Sequence, residues 1–230
     1  MRNTLLWFLI FAAGTFLIYE NPAAPAAGHA PQETDFAMMR ERMIEEQLRK
    51  RGISDPRVLE AIDSVLRHEF VPPHLQHRAY DDNPLPIDKG QTISQPYIVA
   101  YMTEALQLKP GDKVLEVGTG SGYQAAVLSR LAGEVYSVEI IPELAQQAAE
   151  KLETLGFTNI TVKEGNGYEG WLEHAPFDAV IVTAAPNHIP EKLIEQLRDP
   201  GGRMIVPVGS HYQELVLLEK TPSGIRKKTL

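Results

Sequence analysis

Beyond residue 35 the chain carries apolar positions in two different periods. Between Phe36 and Lys50, Met39, Met43, Ile44 and Leu48 recur at helical spacing, and Gly52 closes the segment. Asp55-Pro56 opens a second helix with an N-cap and a proline in the first turn. Its apolar face is Val58, Leu59, Ile62, Val65 and Leu66, and Pro72-Pro73 stops it. A third helix over 97–106 follows Pro96. After the turn Lys109-Pro110-Gly111-Asp112, short apolar runs and helical stretches take turns. Strands are predicted over 113–117, 134–139, 160–164, 177–183, 203–208 and 215–220, the last joined through Pro222-Ser223-Gly224 to 225–228. Helices are predicted over 124–132, 142–155 and 190–197. This order predicts an α/β fold: a doubly wound, mostly parallel sheet with helices on both faces, preceded by a helical extension. Ligands bind such sheets at the carboxyl ends of the strands.

The N-terminus follows a different pattern. Residues 5–19 are apolar almost throughout, and no charge falls between Arg2 and Glu20. A basic residue before such a run marks an export signal or a membrane anchor, near the ~20 residues that a span needs. Ala24-Pro25-Ala26 has the small-x-small form of a cleavage site. No Lys or Arg follows Arg2 until Arg40, a bias that places the rest of the chain outside. Three segments are therefore expected: 1–20 as signal or anchor, 21–34 as an Ala/Pro-rich linker, and 35–230 as the folded domain. Within that domain, 35–108 is the helical extension with a polar loop and 109–230 the α/β core. Export to the periplasm or membrane attachment through residues 5–19 is the expected localisation.

Composition narrows the chemistry. The chain has 230 residues, 43% hydrophobic and 23% charged, which are ordinary globular values. A net charge of −8 argues against a nucleic-acid partner. Arg226-Lys227-Lys228 reads as a solvated strand edge. With no cysteine there is no disulfide framework, thiolate metal site or cysteine nucleophile. The seven histidines lack metal-ligand spacing, so no metal is expected, and His68, His74 and His77 read as surface groups. Oligomeric state is not legible in the sequence.

The core is organised around Val114-Leu115-Glu116-Val117-Gly118-Thr119-Gly120-Ser121-Gly122-Tyr123. An apolar run, three alternate glycines and a good helix former make strand, tight turn and helix. Glycines there let a ligand approach the backbone closely. A phosphate-binding dinucleotide fingerprint reads G-x-G-x-x-G; here Tyr123 stands where its third glycine belongs. Glu116 also suits a pyrophosphate poorly. S-adenosylmethionine has no phosphate and carries a cationic amino group that an acid can hold. Glu139 ends the second strand, where a carboxylate suits a ribose diol. Asn166, between Gly165 and Gly167 after the third strand, is placed either to meet an adenine edge or simply to form a turn. Together these strand ends favour an adenosine ligand. The loop over 79–95 is long and polar, as functional loops often are. Its end places Thr92, Ser94 and Gln95 at the start of the third helix, where Ser94 has a second reading as an N-cap.

Pro84-Leu85-Pro86-Ile87, Gly90-Gln91-Thr92-Ile93-Ser94-Gln95-Pro96, Leu115 to Tyr123, Val182-Thr183-Ala184-Ala185-Pro186, Pro200-Gly201-Gly202-Arg203 and Pro207-Val208-Gly209 are a further set of motifs. In these the chain resembles the protein-L-isoaspartate O-methyltransferases from about Met38 to the C-terminus. The resemblance implies S-adenosyl-L-methionine as cofactor and isoaspartyl-containing proteins and peptides as substrates. Methylation of the isoaspartyl carboxylate would begin their repair. It implies Ser94 as the active-site serine, with Thr92, Thr183, Ala184 and Ala185 beside the substrate. Ile93, Gln95, Glu116, Gly118, Thr119, Gly120, Ser121, Gly122, Glu139, Ile140, Asn166, Gly167 and Gln213 would lie along the cofactor. Three features depart from the family pattern: Asn166 where Asp is common, a C-terminus at Leu230 before a further strand, and the N-terminal apolar run. Family members are usually cytoplasmic, where the cofactor is made, so a cytoplasmic location is the alternative to export. The competing functional readings are a small-molecule methyltransferase and a cofactor-binding protein with weakened catalysis.

Overall fold

The computed structural model describes residues 32–184, 186–209 and 213–230. The apolar run at 5–19 and nearly all of the expected linker lie outside these residues. Among the described residues, no helix is long and apolar enough to cross a membrane.

The first helix, α1 (Glu33–Arg42), starts two residues before the expected boundary, with Asp35 closing a capping box on Gln32. It widens into a π-helical turn over Met43–Leu48 and tightens over Arg49–Arg51 before Gly52, at φ 99°, ends it. In α2 (Pro56–Ser64), Asp55 accepts from the Arg57 N–H at the predicted N-cap. The helix ends at Ser64, well short of the prolines, because Val65 is already extended. The chain then turns inward, and Arg67 is wholly buried with Nε donating to the Ala79 carbonyl at 2.7 Å. Its guanidinium lies 4.9 Å from the Tyr123 ring, and burial lowers its pKa to about 10. His68 also turns inward, contrary to the surface position expected. It is 2% exposed, stacked 3.9 Å from Phe36, with Nδ1 2.8 Å from the Tyr80 hydroxyl. Nothing in its local pattern foretold this, because its neighbours are brought from α1 and residue 80. His74 and His77 are exposed.

A two-stranded hairpin, β1 (Leu85–Pro86) with β2 (Thr92–Ile93), leads into α3 (Pro96–Leu106). The alternation then proceeds as β3 (Lys113–Val117), α4 (Tyr123–Ser129), β4 (Glu134–Glu139), α5 (Pro142–Thr154), β5 (Ile160–Glu164), β6 (Ala179–Val182), α6 (Glu191–Glu195) and β7 (Arg203–Val208). A closing hairpin is formed by β8 (Glu214–Thr221) and β9 (Gly224–Thr229). The seven-stranded sheet has the order β5-β4-β3-β6-β7-β8-β9. Its first five strands are parallel, and β8 and β9 are antiparallel. Every residue of β9 is exposed at the sheet's edge, as the basic run suggested; charge on an edge strand guards it against pairing.

The sheet separates two cores by its period of two. Val114, Ala179, Ile181 and Ile205 face the side covered by the N-terminal helices and α4. Leu115, Val117, Val180, Val182, Met204 and Val206 face the other, with Leu193 of α6. The alternation puts Glu116 on the first side, between Val114 and the glycine turn.

Leu115 is fully buried in the central strand. Leu115→Ala is expected to lower unfolding free energy by about 2–5 kcal/mol. Chemical denaturation should show a lower midpoint at an unchanged m-value.

Candidate active site

Strands β3 and β6 are neighbours, yet the chain leaves β3 toward β4 and leaves β6 toward β7. At this reversal the loops after adjacent strands diverge and leave a crevice. A cavity of about 800 Å³ opens there. Val117 and Gly118 to Ser121 line it from β3, Glu139 to Ile141 from β4, and Gly167 and Tyr168 from beyond β5. Val182 to Ala184 line it from β6, and Gly90 to Gln95 with Ile98 and Val99 form the wall contributed by the hairpin and α3.

Gly118 is required by crowding. It holds φ 101°, and an added Cβ would stand 2.6 Å from Thr183 Oγ1. That hydroxyl donates to the Gly118 carbonyl at 2.6 Å, fastening β6's end to β3's. Gly167 is similarly constrained: a Cβ there would come within 2.2 Å of Val117 Cγ1. Glu139 then holds the turn from the other side. One of its oxygens accepts from Gly120 N at 2.9 Å and the other from Ile141 N at 3.0 Å. Each keeps acceptor capacity, so the carboxylate fixes the backbone and can still receive ligand hydroxyls.

Beneath the turn lies a buried polar cluster. Ser137 donates to Glu116 Oε2 at 2.5 Å and sits 2.6 Å from Thr119 Oγ1. Glu116 is 0% exposed, and burial pushes its pKa up to about 8. Glu116, expected along the cofactor, thus lies beneath the lining, with Oε2 held by Ser137 and Oε1 without a hydrogen-bond partner among the described residues. Its side chain faces the α4 side of the sheet, whereas the cavity is lined by its neighbours Val117 and Gly118. Register explains this, since Glu116 pairs with Ser137 across parallel strands and the two point the same way.

Most of the other expected site residues converge. Thr92, Ile93, Ser94, Gln95, Gly118, Thr119, Gly120, Ser121, Glu139, Ile140, Gly167, Thr183 and Ala184 all line the cavity. Four do not. Gly122 faces Leu152 of α5. Asn166 is exposed, and its side-chain oxygen accepts from Tyr168 N at 3.1 Å, the turn role already open to it. Gln213 is half-buried before β8 but outside the lining, as is Glu116. Ala185 lies outside the described residues. Ser94 does not cap α3: Gln95 holds the N-cap position, and the Ser94 hydroxyl makes no hydrogen bond among the described residues. Gln95 instead donates to the Asp82 carbonyl at 3.0 Å, tying the loop to the helix.

Sequence patterns did not single out Asp82, Asn83, Tyr123, Gln124, Tyr168 or Leu193, which also line the cavity. Tyr123 and Tyr168 each follow a glycine already assigned to the site, a signal that could have found them. Leu193 comes from α6 and has no local signal.

The lining fits an adenosylated, cationic ligand. Among the described lining residues the only charged side chains are Asp82 and Glu139, both acids, so a pyrophosphate finds no Lys or Arg. Among the described residues no cluster of His, Asp or Glu could hold a metal ion.

Comparison with known proteins agrees with this geometry. The family model for protein-L-isoaspartate(D-aspartate) O-methyltransferase matches residues 38–229. A protein-L-isoaspartate O-methyltransferase of Picosynechococcus sp. is 56% identical over 187 residues, covering 81% of this chain and 84% of that protein. One from Gloeobacter violaceus is 57% identical over 185 residues, covering 80% and 90%. Among solved structures, a protein-L-isoaspartate O-methyltransferase superposes with a TM-score of 0.74 at 33% identity, covering 83% of this chain and 63% of that one. A Plasmodium falciparum protein of the same description was solved with S-adenosyl-L-homocysteine. It gives a TM-score of 0.70 at 27% identity, covering 83% and 94%.

Two outcomes test the site. Gly118→Ala should displace Thr183 and abolish measurable cofactor binding in calorimetry. Glu116 contributes a second, pH-dependent signature. Its folded pKa of about 8 lies above the unfolded carboxyl value, so the folded state holds the proton between them. Stability from this group is complete at about pH 4 and is lost as pH rises toward 8. In Glu116→Gln that decline should be absent from thermal melts across the same range.

Proposed function

The chain belongs to the protein-L-isoaspartate O-methyltransferase family, and we propose that its chemistry runs through the cavity at the β3–β6 junction with Ser94 as the group that orients the acceptor. The protein transfers a methyl group from S-adenosyl-L-methionine to the carboxylate of isoaspartyl residues in proteins, which initiates their repair. The observation that carries the Ser94 assignment is that Ser94 lines the cavity while its hydroxyl makes no hydrogen bond among the described residues.

When bound, the cofactor supplies a methyl group on a cationic sulfur, which a carboxylate oxygen takes up. An isoaspartyl carboxylate is ionised at neutral pH, so the site needs no general base. Gly118, Gly120 and Gly167 let the cofactor approach the backbone, and Glu139 receives its ribose hydroxyls. Ile140 and Ile141 shield it from water on the β4 side. Thr92 and Ser94 stand on one wall and Thr183 and Ala184 on another, the arrangement needed to hold an acceptor in line with a donor. Ser94 donates to one carboxylate oxygen and leaves the other free to react. The fixed polar groups are aligned beforehand, so little reorganisation accompanies reaction.

The N-terminal run at 5–19 belongs to the same proposal: it directs the enzyme to the far side of the membrane or anchors it there. Its support is the charge-free apolar stretch behind Arg2. Cell fractionation with N-terminal sequencing of the product tests it, and recovery of an uncleaved, membrane-free chain would overturn it.

Labelled S-adenosylmethionine should methylate an isoaspartyl peptide and leave its aspartyl twin unmodified. Ser94→Ala should lower turnover by about 10- to 100-fold, the worth of one hydrogen bond to a charged group. Cofactor affinity should remain nearly unchanged in the same variant. An undiminished rate would remove Ser94 from the mechanism.

A further inference from the structure

The acceptor is an anion, yet the charged side chains in the described lining are acids. Glu139 is engaged by two backbone N–H groups at the β4 end. Asp82 lines the cavity from the loop that Gln95, the residue after Ser94, ties to α3. An unmasked Asp82 would attract a cationic cofactor and repel a carboxylate acceptor. Among the described residues its charge is met by one group: Arg51 Nη1 lies 2.7 Å from Asp82 Oδ2.

Arg51 is held for that contact from another direction. Its guanidinium lies 3.6 Å from the centroid of the Tyr97 ring. Tyr97 is in turn stacked on Tyr101, one helical turn along α3, at 5.6 Å between centroids. Arg51 ends the N-terminal helix just before Gly52, so a remote segment delivers the cation to the α3 side of the cavity. A planar guanidinium can stack on an aromatic face while donating to a carboxylate, which a Lys ammonium does less well. Half-exposed pairs of this kind contribute little to stability, so the consequence of the contact is local charge.

We propose that Arg51 is a positioning residue for acceptor entry: it neutralises Asp82 on the loop that Gln95 ties to α3, so that a carboxylate substrate is admitted to a cavity whose charged lining side chains, among the described residues, are both acids. The proposal rests on the isoaspartyl methyltransferase reading of the site. It gives the N-terminal helix a part in the reaction, and it separates the two ligands by sign. Loss of the mask disfavours the anionic acceptor and does not disfavour the cationic donor.

The experiment uses the full chain and the variants Arg51→Ala, Asp82→Asn and the double variant. The KM for an isoaspartyl peptide is measured by methyl transfer, and binding of S-adenosylmethionine is measured separately by calorimetry. Arg51→Ala should raise the peptide KM by about 3- to 10-fold, as expected for one unmasked charge at a half-exposed site. Its S-adenosylmethionine affinity should be equal or tighter. Asp82→Asn in the same chain should return the peptide KM to near the wild-type value. An unchanged peptide KM in Arg51→Ala overturns the proposal. So does parallel weakening of both ligands, the mark of a merely structural role, or a double variant that keeps the raised KM. If the unaltered enzyme fails to methylate the isoaspartyl peptide, the functional reading fails instead. The calorimetric arm still reports whether Arg51 and Asp82 set the charge felt by the donor.

Discussion

The site depends on how closely the end of β6 approaches the end of β3. Thr183 reaches the Gly118 carbonyl at 2.6 Å, a position that any side chain at residue 118 would occupy. This contact brings the two strands' loops together where the sheet changes winding direction, and the cavity is the space left between them. Glu139 secures the same turn from β4 through Gly120. The glycine turn is thus held from both neighbouring strands before any ligand arrives. Such preorganisation lets a transfer reaction proceed without a large rearrangement of polar groups.

Charge is divided between two layers. Glu116 lies below the turn, sealed with Ser137, in an environment that favours its protonated form. Glu139 lies at the cavity wall with both oxygens engaged by backbone N–H groups. The inner acid is buried under the turn and the outer one lines the cavity. Asp82 adds a second acid at the wall, paired with Arg51. A site built this way receives a cation readily and must be moderated to receive an anion.

Much of this was legible along the chain. Strands over 113–117, 134–139, 160–164 and 203–208 fall where short runs rich in apolar and β-branched residues, bounded by turn residues, place them. The glycines at 118 and 120 and the acid at 139 lie in the cavity because strand ends and turns are local features with local signals. Glu116 differed because its side-chain direction depends on which face of the sheet the strand's period assigns to the cavity. The early end of α2 and the burial of Arg67 and His68 had no local signal, since the residues that receive them come from α1 and from 79–80. Asn166 keeps its turn role because its side chain accepts from the Tyr168 N–H two residues ahead.

The sequence by itself determined the alternation of strands and helices, the glycine turn that admits a ligand, and the motifs that assign the chain to its family. These are matters of short-range sterics and periodicity, which need no knowledge of distant partners. Tertiary structure alone decided which acid lines the cavity, that Ser94 makes no hydrogen bond among the described residues and does not cap a helix, and that Arg51 reaches Asp82 from a separate segment. Each depends on contacts between residues far apart in the chain, and no local pattern encodes the distance between them.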